Sequence, residues 1–507
     1  MFISGNGSRR QTGNWCIFIV YCVLLSIGLA HHELWGDELH SWNIARGNAG
    51  YGELLRNIRF EGHPPLWYTI LWTLSRFTAN PLWMQPVQGL IIALALYLFL
   101  FRSPFSLWVK VLLPFGYYFL FEYAVFSRNY AIAVLLAFCL CLVLRRPGRT
   151  GLYYLLLFLL SSCHLVALVL AGALHVYYLL RQWGDRQQRK SLWLHVLGGG
   201  LVFLPSVYFI FPPSDSEMNI SFFMQYWSVQ QLKNILAAPL KAFIPVPSWS
   251  QYHFWNTHFM LERGQEGLLA PLLTGLVSLA LVGCAFLSLR NAPKSRLLFG
   301  ANLIVTFLVA LIFPLNSFRY VGFIFIAYIV ACWLALQEQD KKPAAVQPLL
   351  YLLLCLQWPG SAIALYKDFR HPFSQACKTK KLEAAVPAGS KLLTDSWTLN
   401  AVAAFGGHAF YCVDYRQEIS FILWDRNKSK PLDPAHPYSS GLRDYFAQHT
   451  DSCVFLVSAN SPVALAEMDT ELQKEFAPGL VAQEEGAIEP YSNLYLYKII
   501  NPTHGRQ

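Results

Sequence analysis

Residues Tyr320–Leu336 read YVGFIFIAYIVACWLAL, an apolar run without one charged side chain. Its length approaches the roughly 20 residues that carry a helix across a bilayer core. Leu90–Phe101, Ala131–Leu144 and Leu268–Leu289 repeat the pattern. The whole chain agrees: of 507 residues, 55% are hydrophobic and 13% charged, where soluble domains carry about 25% charged residues. Mean hydropathy is +0.36. These values exclude a soluble enzyme and predict a polytopic α-helical membrane protein.

The formal charge of +10 has to be located before it can suggest a partner. Residues before Lys367 hold 25 Lys and Arg against 13 Asp and Glu, whereas Lys367–Gln507 holds 14 against 16. The excess therefore belongs to the apolar part and sits in short loops, which argues for a topology signal and against a nucleic-acid surface. Eleven spans are expected: Trp15–Leu29, Trp83–Phe101, Phe105–Phe121, Asn129–Leu144, Gly151–Ser161, Leu165–Leu180, Leu192–Phe211, Leu268–Leu289, Leu297–Leu315, Tyr320–Leu336 and Gln347–Tyr366. The first reads as a retained signal anchor after Arg9 and Arg10. With these spans, 16 cations and only Asp185, Glu338 and Asp340 face the cytoplasm. That count denies a crossing to the short segment Leu66–Phe77, which is expected to be a juxtamembrane or re-entrant helix. The N-terminus is then cytoplasmic, and the loops 30–80 and 212–267 share the extracytoplasmic side with the C-terminal part.

Composition changes after Tyr366, dividing the chain into a membrane domain, 1–366, and a polar domain, 367–507. In the latter, strand-like runs (Lys391–Thr394, Ala409–Val413, Ile419–Trp424, Cys453–Ser458, Asn493–Ile499) alternate with helical patterns (Phe373–Ala385, Gly441–His449, Pro462–Phe476), which predicts a small α/β domain. Of 11 Cys, only Cys377, Cys412 and Cys453 lie there, and an odd number leaves any disulfide undetermined. No internal repeat of the inverted-repeat transporter kind is present.

Three short elements carry the candidate chemistry, all on the extracytoplasmic side. The first is Gly36-Asp37-Glu38 between Trp35 and Trp42. Asp37 could cap a helix beginning at Glu38, yet capping does not need two acids, and interfacial carboxylates are costly unless used. The second is Glu61-Gly62-His63-Pro64-Pro65, where the double proline starts the short helix and fixes His63 at its mouth. The third is Ser127-Arg128-Asn129-Tyr130 with Glu122 one turn earlier, complemented by Phe318-Arg319-Tyr320 at another span end. Either arginine could simply snorkel; two of them opposite an acidic pair suggest an anionic head group held between them. His164 reads more simply as a turn residue than as a ligand. With Glu61, Glu122 or His63 it could bind a divalent metal, but no ligand spacing supports one. In the loop 212–267, Trp227, Trp249, Tyr252 and Trp255 suit a carbohydrate or lipid site, or an interfacial aromatic belt.

The order of these elements, from the first span to Ser127-Arg128-Asn129-Tyr130-Ala131 opening a later one, resembles the GT-C class of membrane glycosyltransferases. The bacterial protein O-mannosyltransferase-like and lipid A aminoarabinose transferase-like enzymes are the most similar branch. The resemblance covers roughly residues 15–180, and Phe318-Arg319-Tyr320 continues it. It implies a catalytic Asp37 with Glu38 as the neighbouring acid, and a substrate-binding set of His63, Glu122, Arg128, Tyr130, Arg319 and Tyr320. Arg128 and Arg319 would hold the phosphate of a polyprenyl-phosphate sugar donor. The acceptor would be a lipid, glycan or protein at the outer face of a bacterial inner membrane. Gly62-His63 departs from the aminoarabinose transferases, where an acid and a Lys are expected before the two prolines. No Gly-rich phosphate loop for a nucleotide sugar is present, which fits a lipid-linked donor. A lipid or solute transporter is the alternative from another class, and a scaffold whose C-terminal domain binds a partner is a third.

Overall fold

The computed structural model describes residues 5–502 except 147, 185–188, 220, 222–223, 225–227, 262–268, 339–345 and 428–435. Trp227 and the charges Asp185, Arg186, Asp340, Lys341 and Lys342 lie outside the described residues. In chain order the membrane part contains helices α1 (Gly5–His31), α2 (Gly36–Gly47), α3 (Tyr51–Ile58), α4 (Leu66–Ser75), α5 (Met84–Arg102), α6 (Leu107–Leu112), α7 (Tyr130–Leu144), α8 (Thr150–Ser161), α9 (Leu165–Gly184) and α10 (Leu192–Ile210). It continues with α11 (Val229–Phe243), α12 (Leu269–Ser288), α13 (Pro293–Ala310), α14 (Phe318–Glu338) and α15 (Val346–Arg370).

Among the described residues, eight of these helices (α1, α5, α9, α10, α12, α13, α14, α15) are long and apolar enough to cross a membrane, while α7 and α8 are shorter apolar helices. The run that opened the sequence reading becomes α14, the centre of the bundle. Its most apolar window is 89% buried, against 17% for α1 and α10. An apolar face costs nothing in lipid, so burial rather than hydropathy separates central from peripheral helices.

Ten of the eleven expected apolar segments are regular helices. Phe105–Phe121 is not: α6 gives way to a 3₁₀ turn at Leu113–Phe115 and a π turn at Tyr118–Glu122. Pro114 cannot donate its share of the helical hydrogen bonds, and the segment beyond it is buried against α14 and α15. Helix α4 has ten residues, about 15 Å at 1.5 Å per residue, half a bilayer core. Within the loop 212–267, α11 packs between α12 and α14. Gln231, Lys233 and Asn234 lower its hydropathy and mask it in the sequence.

Helix α15 runs past Lys367 to Arg370 and leads into a six-stranded mixed sheet of order β3-β2-β1-β4-β6-β5. The strands are β1 (Lys391–Thr394), β2 (Phe410–Cys412), β3 (Gln417–Ile419), β4 (Cys453–Ser458), β5 (Gly479–Glu484) and β6 (Leu494–Ile500). The central β2-β1-β4 set is parallel, with antiparallel strands at both edges. Helices α16 (Thr379–Ala384), α17 (Ser396–Gly406), α18 (Pro437–Gln448), α19 (Pro462–Met468) and α20 (Thr470–Phe476) cover it. The expected helix Pro462–Phe476 is split at Asp469, which caps α20 by accepting from Glu471 N and Leu472 N. Of the expected strand Ile419–Trp424, only Ile419 is in β3. All eleven cysteines are free.

Candidate active site

The Gly36-Asp37-Glu38 element divides its two acids between two tasks. Glu38 is fully buried: Oε2 accepts from Trp35 N at 3.1 Å, closing the first turn of α2, and Oε1 accepts from Ser127 N. His32 Nε2 lies 3.7 Å from Glu38, while its Nδ1 is 3.2 Å from Asp368 at the end of α15. Glu38 therefore ties α1, α2 and the turn before α7 together, and it lines neither of the two cavities that border Asp37. Glu38, expected beside Asp37 as the second acid of the catalytic pair, has both of its oxygens committed to backbone N–H groups.

Asp37 projects the other way, with 40% of its side chain exposed. Arg319 Nη1 is 3.0 Å from Asp37 Oδ2, and the guanidinium lies over the rings of Trp35, Trp255 and Tyr320 at 5.3 to 5.6 Å. Arg128 Nη1 donates to the Asp37 carbonyl and, at 2.7 Å, to Ser41 Oγ. The Nε atoms of both arginines are buried with no hydrogen-bond partner among the described residues. Burial by itself would raise the Asp37 carboxyl pKa. The charges of Arg319, Arg128 and His40 outweigh that and hold it below the usual carboxylate range.

One cavity of about 310 Å³ opens beside this pair. Its lining combines the polar Asp37, His40, Glu61, His63, Arg128 and His164 with the apolar Leu165, Val166, Ile210, Phe313 and Leu315, and includes Tyr320. Such a lining suits an amphiphile with a charged head. Glu122 and Tyr130 stand behind it. Glu122 Oε2 accepts from Tyr117 OH at 2.9 Å and from Trp255 Nε1 at 3.2 Å, fixing the tryptophan under Arg319. Tyr130 is buried and packs on Tyr123 and His164.

His40 is the residue the sequence reading passed over. It lies three residues after Asp37, on the same helical face, and that spacing was the available signal. Its Nε2 is 2.8 Å from Glu61 Oε2, and its Nδ1 is 3.3 Å from Asn400 Oδ1 on α17. Burial alone would lower the His40 pKa, but the Glu61 charge and hydrogen bond raise it above the ordinary value. His63 and His164 go the other way, pushed down by burial and by neighbouring cations. Among the described residues no group of three or more His, Cys, Asp or Glu is arranged to hold a metal ion. Glu61 is paired with His40, and His164 Nδ1 accepts from Ala167 N. Glu61 Oε1 and His164 Nε2 are buried without a hydrogen-bond partner among the described residues.

A second cavity, of about 530 Å³, lies between α2 and the C-terminal domain and has Asp37 and Trp424 in common with the first. Trp424 comes from the irregular segment after β3. Helix α17, absent from the sequence reading, packs directly on α2: Asn43 Nδ2 donates to the Asn400 carbonyl at 2.9 Å.

No family model and no curated protein matches the chain. Solved structures do. The crystal structure of ArnT from Cupriavidus metallidurans bound to undecaprenyl phosphate covers 98% of this chain and 98% of its own, with a TM-score of 0.50 at 14% identity. Its apo crystal structure covers 96% and 98%, with a TM-score of 0.45 at 16% identity. The first of these superpositions, end to end at so low an identity, speaks for architecture alone, and by it this chain has the fold of that ArnT structure, a helical bundle with a small sheet domain at the C-terminal end.

Proposed function

We propose that the chain is an integral membrane glycosyltransferase that moves a hexosyl or pentosyl group from a polyprenyl-phosphate donor to a lipid, glycan or protein acceptor. The transfer would take place at the extracytoplasmic face of a bacterial inner membrane. The observation that carries the reading is Asp37, whose carboxylate pairs with Arg319 and whose carbonyl accepts from Arg128, in the lining of a cavity with both polar and apolar walls. The structure with the same fold that holds undecaprenyl phosphate adds weight to a lipid-phosphate donor.

Each residue then has a task. The donor phosphate enters between the two guanidiniums, whose unpartnered Nε–H groups offer charge-assisted hydrogen bonds. As Arg319 turns to the phosphate, Asp37 loses its ion-pair partner and becomes free to accept a proton. The acceptor O–H or N–H gives that proton to Asp37, its heteroatom attacks the anomeric carbon, and the bond from that carbon to the phosphate oxygen breaks. The electron pair leaves on the polyprenyl phosphate, where both arginines stabilise it. One displacement inverts the anomeric centre. His63 borders the donor's head group, while Glu38, Glu122 and Tyr130 position the residues that touch it.

The transporter alternative gains no support, because the ionisable side chains gather at helix ends around Asp37 and not at the midpoints of broken helices. Asp37→Asn is the direct test. Sugar transfer in membranes supplied with a polyprenyl-phosphate donor should fall by about 10²- to 10⁴-fold, the usual worth of a general base. Undiminished turnover in a well-folded variant would remove Asp37 from the chemistry.

A further inference from the structure

The second cavity gives Asp37 a wall on its other side. Trp397 in the first turn of α17 and Tyr491 between β5 and β6 stack there at 4.9 Å with an interplanar angle of 23°. Both remain largely exposed, at 52% and 58%, so their burial in a core does not account for them. Large aromatic faces open to a cavity are where an apolar ligand surface is expected to dock. The pair is rigidly placed. Asp395 caps α17 by accepting from Thr398 N, and Glu489 Oε2 accepts from Tyr491 N and Ser492 Oγ. Because α17 is hydrogen-bonded to α2, the platform is held in register with Asp37.

Charge narrows the ligand. Asp37, Glu217 and Glu489 line this cavity, and no Lys, Arg or His does among the described residues. A phosphorylated or carboxylated ligand would meet only like charges here. Arg128, His40, His63 and His164 line the donor cavity instead, so the two chambers differ in the ligand charge they suit.

We infer that the cavity joining Asp37 to the Trp397–Tyr491 platform is the acceptor subsite, and that it takes a neutral or amine-bearing glycan whose ring stacks on that platform. The inference rests on the proposed role of Asp37 as base. A ring seated there presents its hydroxyl to Asp37 from the side opposite the donor. The proton passes to the carboxylate, the glycan oxygen bonds to the donor's anomeric carbon, and the polyprenyl phosphate leaves into the other chamber.

The test uses the full chain in detergent or nanodiscs and measures two ligands separately. Chitotetraose and its deacetylated, cationic form are titrated against tryptophan fluorescence, with a bisphosphorylated glucosamine disaccharide as the anionic comparison. Undecaprenyl phosphate binding is measured independently. Wild-type protein should bind both uncharged and cationic oligosaccharides and reject the phosphorylated one. Trp397→Ala and Tyr491→Ala should each weaken oligosaccharide binding about tenfold or more, with undecaprenyl phosphate binding unchanged and Trp397→Phe restoring most of the loss. Since both side chains are exposed, folding should survive, and an unchanged melting temperature checks this. No binding of either oligosaccharide, a preference for the phosphorylated disaccharide, or insensitivity to both alanine variants would each overturn the inference. Failure of undecaprenyl phosphate to bind would instead count against the donor reading and leave the platform's result standing.

Discussion

At the residue scale, two adjacent acids of one motif have opposite environments, and the electrostatics of each is set by what faces it. Asp37 is held ionised by Arg319 and Arg128. A carboxylate with a depressed native pKa stays charged above its ordinary value near 3.8 and is lost only as pH falls through the lower native one. The kcat/KM of transfer, which reports the free enzyme in which Arg319 pairs with Asp37, should therefore show no Asp37-dependent acid limb through neutral and mildly acidic pH. Arg319→Gln should bring that limb upward into the measurable range and cost about 10²-fold in turnover, as removal of one charge-stabilising donor does. A pH–rate profile unaltered by the substitution would contradict the pairing. His40 has the reverse sign. Its native pKa is raised by Glu61, so the pair stabilises the loop 30–80 below the ordinary His value of 6.5 and ceases to do so as pH rises through the raised one. Glu61→Gln should lower the melting temperature in mildly acidic buffer and have little effect in alkaline buffer.

At the scale of elements, the bundle is shaped by where regular helix is interrupted. Pro114 breaks the segment after α6, and the π turn that follows brings Tyr117 to Glu122, which in turn fixes Trp255 beneath Arg319. A close crossing maintains this arrangement. A Cβ at Gly360 of α15 would lie 2.2 Å from the Pro245 carbonyl oxygen, a backbone atom that cannot swing aside. Gly360→Ala should cost about 1–3 kcal/mol, the usual range for overpacking, read as a lower melting temperature in detergent. Transfer should fall with it, since the stretch Ile244–Pro247 leads into the loop that carries Trp255.

At the scale of the whole molecule, the C-terminal domain is a wall of the site. It reaches the membrane part through Asn400 to Asn43 and His40, through Phe373 N to Glu33 at 2.7 Å, and through the Gly486 and Ile488 carbonyls to Tyr252 and His253. Asn43 is buried at 1% exposure, so Asn43→Ala removes the partner of the Asn400 carbonyl at a cost of about 1 kcal/mol. Faster hydrogen exchange in both α2 and α17 is the expected reading. Protection unchanged in α17 would mean that the two helices are not coupled.

Apolar runs were enough to identify ten helices and the short α4, because length and hydropathy are local properties of a helix in lipid. The acids and arginines of the site were legible for a related reason: in so apolar a chain, few ionisable residues stand outside the basic loops. Which acid faces a cavity was not legible, since Asp37 and Glu38 are one residue apart and about 100° of helix rotation decides between them. Nor were His40's partner, the break after α6, helix α17 or the Trp397–Tyr491 pair, all of which depend on residues remote in sequence being brought together. The sequence by itself determined an apolar helical bundle with a few ionisable residues outside its basic loops and a polar C-terminal domain. Tertiary packing alone decided that this domain closes over Asp37, because burial and pairing are properties of neighbours in space that no local pattern encodes.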